Sequence, residues 1–147
     1  MQTAMHVNGI WLTYNEWKRQ LREVARKVDF DYSEKKSEIW DFGNINALTS
    51  ESVPVSGDKR VMEWYWDGSH FTPDFGDIIL SVIFHSDSEN MVNENIAFDL
   101  MNTDIDAYAS DQRALLMNFI TTNKEIYSGI CSIAVRLNTA KNCDASL

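Results

Sequence analysis

Apolar positions recur at helical spacing in four segments of the chain. Tyr14, Trp17, Leu21, Val24, Ala25 and Val28 follow one another with charges between them, the period of an amphipathic helix. Thr13-Tyr14-Asn15-Glu16 has the form of a capping box: the Thr hydroxyl accepts an orphan amide and Glu16 reaches back. This predicts a first helix over 13–29. A second is predicted over 72–84, with Thr72 as N-cap, Pro73 at its first position and Asp74 in its first turn. Phe75, Ile78, Ile79, Val82 and Ile83 form its apolar stripe. A third, over 103–121, opens on Thr103 with Asp106 three residues on. It carries Ile105, Tyr108, Ala109, Leu115, Leu116, Phe119 and Ile120 on one side. Thr122-Asn123-Lys124-Glu125 is another capping box, which starts a fourth helix over 123–137 unless the last two helices are continuous.

Strand signals are shorter. Glu38-Ile39-Trp40-Asp41-Phe42 is aromatic and β-branched and is closed by Gly43-Asn44, so 38–42 reads as a strand. Asn95 to Leu100 reads as one more, and Val61 to Trp66 as a strand or a packed extended segment. Residues 1–12 have no clear period and suit a short helix or an arm. Residues 44–60 read as an extended loop with turns at Pro54 and Gly57-Asp58, 85–95 as a polar loop, and the last ten residues as a loose tail. There is no internal repeat, low-complexity tract or linker. The expectation is a single domain over 1–147, a small helix-rich α/β fold with few short strands.

Composition narrows the function classes. The 147 residues suffice for one real core. A net charge of −9 disfavours nucleic acid, whose phosphates require clustered cations. The one basic cluster, Lys18, Arg19, Arg22, Arg26 and Lys27, reads as the solvated face of the first helix. No apolar run approaches the ~18–20 residues of a membrane span. The N-terminus lacks the basic and apolar regions of a secretory signal, so a cytoplasmic location is expected. Cys131 reads as a buried small hydrophobe and Cys143 lies in the polar tail; a disulfide between them stays open, though unusual in the cytosol. His6, His70 and His85 are far apart, and no cluster has zinc spacing. Asp87, Glu89, Asn93 and Glu94 do not form a calcium-loop pattern and read as a solvated loop. Neither metal nor cofactor is expected.

The candidate chemistry lies in Asp67-Gly68-Ser69-His70. A carboxylate three residues before a histidine, just ahead of a helix, can accept the Nδ1 proton and fix the tautomer. Nε2 can then take a proton from a hydroxyl or water. Trp64, Tyr65, Trp66 and Phe71 would wall such a site, or fill the core. The plainer alternative makes Asp67-Gly68 a turn and gives His70 a structural hydrogen bond. Ser50, Ser52, Ser56 and Ser69 are the local candidates for a nucleophile, and none has an activating context in sequence.

The stretch from Asp67 through His70, Phe71, Thr72, Pro73, Asp74 and Phe75 to Gly76 resembles the last motif block of the SGNH (GDSL-type) hydrolases. In that family an Asp-x-x-His pair precedes the final helix of an α/β sandwich. Tyr14 to Leu21 is similar to the helix before the last strand, Ile39-Trp40-Asp41-Phe42 to that strand, and Met62 to Trp66 to the lead into the catalytic loop. Phe98 to Ala114 is similar to an extension in a bacterial group of SGNH-like proteins. The resemblance covers about residues 14–120, with 121–137 an additional helix. The family's Gly-Asp-Ser nucleophile block and its oxyanion Gly and Gly-x-Asn are missing: Gly57-Asp58-Lys59 lacks the Ser, and Gly43-Asn44-Ile45-Asn46 follows the wrong strand. The chain thus resembles the C-terminal half of such a domain.

A half sandwich would expose a sheet edge and an apolar face, so the resemblance implies a homodimer or a partner chain that covers them. The apolar surfaces of the first and last helices are the expected contacts. Two functions follow. One is a non-catalytic interaction module; the other is an esterase-type hydrolase with His70 as base, Asp67 as orienting acid, and a Ser or water as nucleophile. A small acidic inhibitor or immunity-type protein is a third reading, since −9 suits a basic target.

Overall fold

The computed structural model describes residues 1–32, 36–54, 58–67, 70–84 and 96–143. The chain divides into two compact units, Met1–Ile39 with Asp99–Leu147, and Trp40–Phe98. The first is helical. Its N-terminal residues form α1 (Gln2–Val7), and Gly9 at φ +72° turns the chain into α2 (Trp11–Asp31). Only glycine adopts that φ without steric cost.

α2 begins two residues before the expected start. Ile10 is its N-cap, and the Tyr14 N–H already bonds the Ile10 carbonyl at 2.9 Å. Thr13 and Glu16 therefore lie inside the helix, and no side chain caps it. The packing of α2 also corrects the reading of its basic cluster at Lys18 and Arg22, while Arg26 and Lys27 are exposed as expected. The side chains it buries are Trp11, Asn15, Lys18 and Asp29. The Lys18 ammonium stands over the Tyr14 and Tyr108 rings, 4.4 and 5.2 Å from their centroids. Cation–π contact compensates part of its lost hydration. Arg22 donates to the Thr103 carbonyl at 2.9 Å, and Arg19 pairs with Asp106. Asp29 accepts the Ser37 N–H and hydroxyl at 2.8 and 2.7 Å, which holds its carboxyl below the usual range.

α4 (Ile105–Thr122) is capped by Asp104 rather than Thr103. Asp104 Oδ1 accepts the Asp106 and Ala107 N–H groups at 3.0 and 3.2 Å. Asn123, at φ −114° and ψ 54°, separates it from α5 (Lys124–Arg136), so the last two helices are distinct. The Asn123 amide donates back to the Phe119 carbonyl, and no side chain caps α5. α1 packs against α2, α4 and α5 around Val7, Ile105, Tyr108, Leu116, Ile120 and Tyr127. Residues 138–143, expected to be loose, are held in place: the Lys141 and Asn142 N–H groups both donate to the Val7 carbonyl. Cys131, expected to be buried, is half-buried, and it is bridged to Cys143, the pairing that the sequence left open.

In the second unit, β1 (Trp40–Asp41) is followed by an irregular stretch and then by α3 (Pro73–Ile83). β1 pairs with β2 (Phe98–Asp99) in a two-stranded sheet. Both strands are shorter than expected, and 61–66 contributes only the isolated Tyr65–Phe71 bridge. Leu48, Phe75 and Ile96 form the core here, with Trp64, Tyr65, Ile78 and Ile79 packed against it. Thr72 takes the N-cap position of α3, but its hydroxyl donates to the Glu63 carbonyl at 2.9 Å. The described chain is thus a helix-rich arrangement with a small sheet, of the small α/β class.

Candidate functional site

Residues 64–66 and 70–72 lie side by side. The Trp66 N–H donates to the His70 carbonyl at 2.8 Å, and the Thr72 N–H to the Trp64 carbonyl at 2.9 Å. Together with the antiparallel Tyr65–Phe71 bridge, these bonds bring Asp67 and His70 together at the end of the pairing where the chain passes from one segment to the other. The Asp67 carboxylate then engages His70 twice. Oδ1 accepts its backbone N–H at 2.9 Å, and Oδ2 lies 2.7 Å from Nδ1. Opposite a carboxylate, Nδ1 is assigned the proton, which directs any proton acceptance to Nε2. Glu51 braces the same segment from a distance in sequence, accepting the Trp64 N–H at 2.9 Å and the Glu63 N–H.

The pair is open to water. The His70 side chain is 71% exposed and that of Asp67 55%. Beside it runs a groove of about 450 Å3, lined by Val53, Val61, Met62, Tyr65 and Trp66, with Arg60 and Asp67 among its charged groups. Arg60 Nε bonds Asp58 at 2.6 Å, and the Arg60 contacts hold the Asp58 carboxyl below its ordinary range. Burial, aided by Glu51, pushes the Tyr65 phenol up.

Of the four aromatic residues singled out in sequence, Trp64 and Tyr65 pack against the core, Trp66 lines the groove, and Phe71 is exposed. Trp64, Tyr65 and Phe71 meet Phe75 edge-on, at 6.4, 5.5 and 5.8 Å between centroids. Such pairs favour a T-shaped arrangement. Trp66 is exposed and lines the groove, and Tyr65 contributes to both. Of the candidate nucleophiles, Ser50 is half-buried with its N–H donated to Asn46, and Ser52 is exposed. Ser56, Ser69, His85 and the loop with Asp87, Glu89, Asn93 and Glu94 lie outside the described residues. Among the described residues, no group of three or more His, Cys, Asp and Glu is placed to hold a metal ion.

Sequence reasoning missed Glu51 and Arg60. Their partners are long-range in one case and depend on loop conformation in the other, and no spacing rule signals either. No protein-family model, curated protein or solved structure matches this chain.

Proposed function

We propose that the chain is a non-catalytic, self-associating interaction module with the ancestry of the C-terminal half of an SGNH-like domain. The order of β1, the Asp67–His70 pair and α3 supports that kinship. A three-layer sandwich would then require the half that this chain lacks.

The observation that carries the reading is the orientation of α2. The polar residues Asn15, Lys18 and Asp29 are buried on it, while the apolar Trp17, Val24 and Val28 are 54, 62 and 46% exposed. With Tyr14 and Leu21 they form a stripe at alternating three- and four-residue steps over two heptads. Tyr14 and Trp17 stack at 6.0 Å within it. Such a stripe matches a second copy of itself in an isologous pair. Water covering it forfeits about 1.5–3 kcal/mol for each side chain that full burial would gain.

The openness of Asp67 and His70 supports the non-catalytic half of the reading. General-base and nucleophilic sites depend on positioned partners and on excluded water. The 2.7 Å contact itself favours a second reading, an esterase-type hydrolase with His70 as base and Asp67 as orienting acid. Fluorophosphonate labelling of the wild type and His70→Ala, with mass spectrometry of any adduct, separates the two. The module predicts no adduct in either protein. A single Ser labelled in the wild type and not in the variant would establish the hydrolase.

A further inference from the structure

Where α1 turns into α2, the helical unit carries a second cavity, of about 500 Å3. His6, Gly9, Trp11, Ser110, Arg113 and Asn142 contribute to its walls. His6 is only 7% exposed. Arg113 Nη1 lies 3.1 Å from His6 Nδ1. A guanidinium can only donate, so Nδ1 accepts and the neutral ring carries its proton on Nε2. The same guanidinium lies over the Trp11 ring, 5.4 Å from its centroid. A buried polar chain fixes this wall: the Trp11 indole donates to Gln2 Oε1 at 3.1 Å, and Gln2 reaches Gln112 at 3.5 Å. The Asn142 amide donates to the His6 carbonyl at 2.7 Å.

Among the described residues no acid lines the cavity, and Arg113 forms no ion pair with a carboxylate. In a chain of net charge −9, this cation is spent on a neutral imidazole. The Lys141 stem covers Gly9, its Cβ and Cγ 3.0 Å from where a Cβ on Gly9 would stand. The first turn of α2, which no side chain caps, borders the same space through Trp11 and Leu12.

We propose that this cavity binds a small organic carboxylate, its oxygens on the Arg113 guanidinium and its apolar body against the exposed Leu12 side chain. The guanidinium fork matches a planar carboxylate, and an apolar wall accepts the body of the ligand. The bound anion also places negative charge beside His6. It offsets part of the Arg113 charge that depresses the His6 pKa, so binding raises that pKa. Burial and Arg113 hold the His6 pKa below its ordinary value in the empty cavity. Among the described residues the charged group that faces it is Arg113 of α4.

The test is a benzoate titration of the full chain, followed by NMR of the three histidine rings across pH. The proposal expects a saturable shift of His6 alone and a raised His6 pKa with benzoate bound. Arg113→Gln, at an exposed position, should leave the rest of the spectrum intact and abolish the saturable response. It should also raise the His6 pKa of the empty protein, because the neighbouring cation is gone. No saturable shift at tens of millimolar benzoate, an unchanged response in Arg113→Gln, or an equal response to inorganic phosphate would overturn it.

Discussion

Asp67 holds His70 from two sides, one carboxylate oxygen on the backbone N–H at 2.9 Å and the other facing Nδ1 at 2.7 Å. The same two bonds would serve a catalytic dyad or a structural turn. What separates the two is the surroundings, and here they are water and an open groove.

His70→Ala is therefore expected to be mild. Substitutions at exposed sites usually change stability by less than about 0.5 kcal/mol. Urea unfolding should show a midpoint close to the wild type, and self-association should be unchanged.

Thr72 has a larger structural role than His70. It is buried, and its hydroxyl ties the start of α3 to the Glu63 carbonyl. Thr72→Val keeps the shape and leaves that carbonyl unmatched, at a cost of about 1–2 kcal/mol. Chemical denaturation of the two proteins measures it.

Much of the helical architecture was legible in the chain. Periodicity located four of the five helices among the described residues, and Thr72-Pro73-Asp74 placed the start of α3 correctly. What periodicity could not say is which face of a helix looks inward. In α2 the apolar stripe through Trp17 and Val24 is outside, because Lys18 finds aromatic rings and Arg22 finds a carbonyl within the unit. Capping boxes misled where another group did the work: Asp104 displaced Thr103, and the Ile10 carbonyl opened α2 ahead of Thr13. At the candidate site, the local Asp67–His70 pair was readable, because four residues of chain determine it. The groove was not, since it depends on Val53 and Arg60 folding back beside Trp66.

Acid should weaken the fold through His6. Burial and Arg113 depress its folded pKa below the ordinary value of 6.5. The folded state then binds fewer protons than the unfolded chain, so stability present above the ordinary value is lost as pH falls through it towards the folded pKa. His6→Gln removes this contribution. Between about pH 7 and pH 5, stability should shift in favour of the variant relative to the wild type, as read by thermal unfolding across pH.

The Cys131–Cys143 bridge closes a short loop, with a sequence separation of 12. Loop-closure entropy assigns it about 3 kcal/mol in the oxidised protein. Cys143→Ser, or reduction, should lower the unfolding midpoint accordingly. The bridge also tests location, because disulfides persist in oxidising compartments. Alkylation of acid-quenched cells should find reduced thiols if the protein is cytoplasmic.

Self-association through α2 is most directly tested by sedimentation velocity on the wild type and on Trp17→Glu combined with Val24→Glu. Both side chains are exposed, so circular dichroism should show the double variant folded. The account predicts that the wild type sediments at twice the chain mass at micromolar concentration, and the double variant as a folded monomer. A monomeric wild type, or a dimer that survives both substitutions, would contradict it.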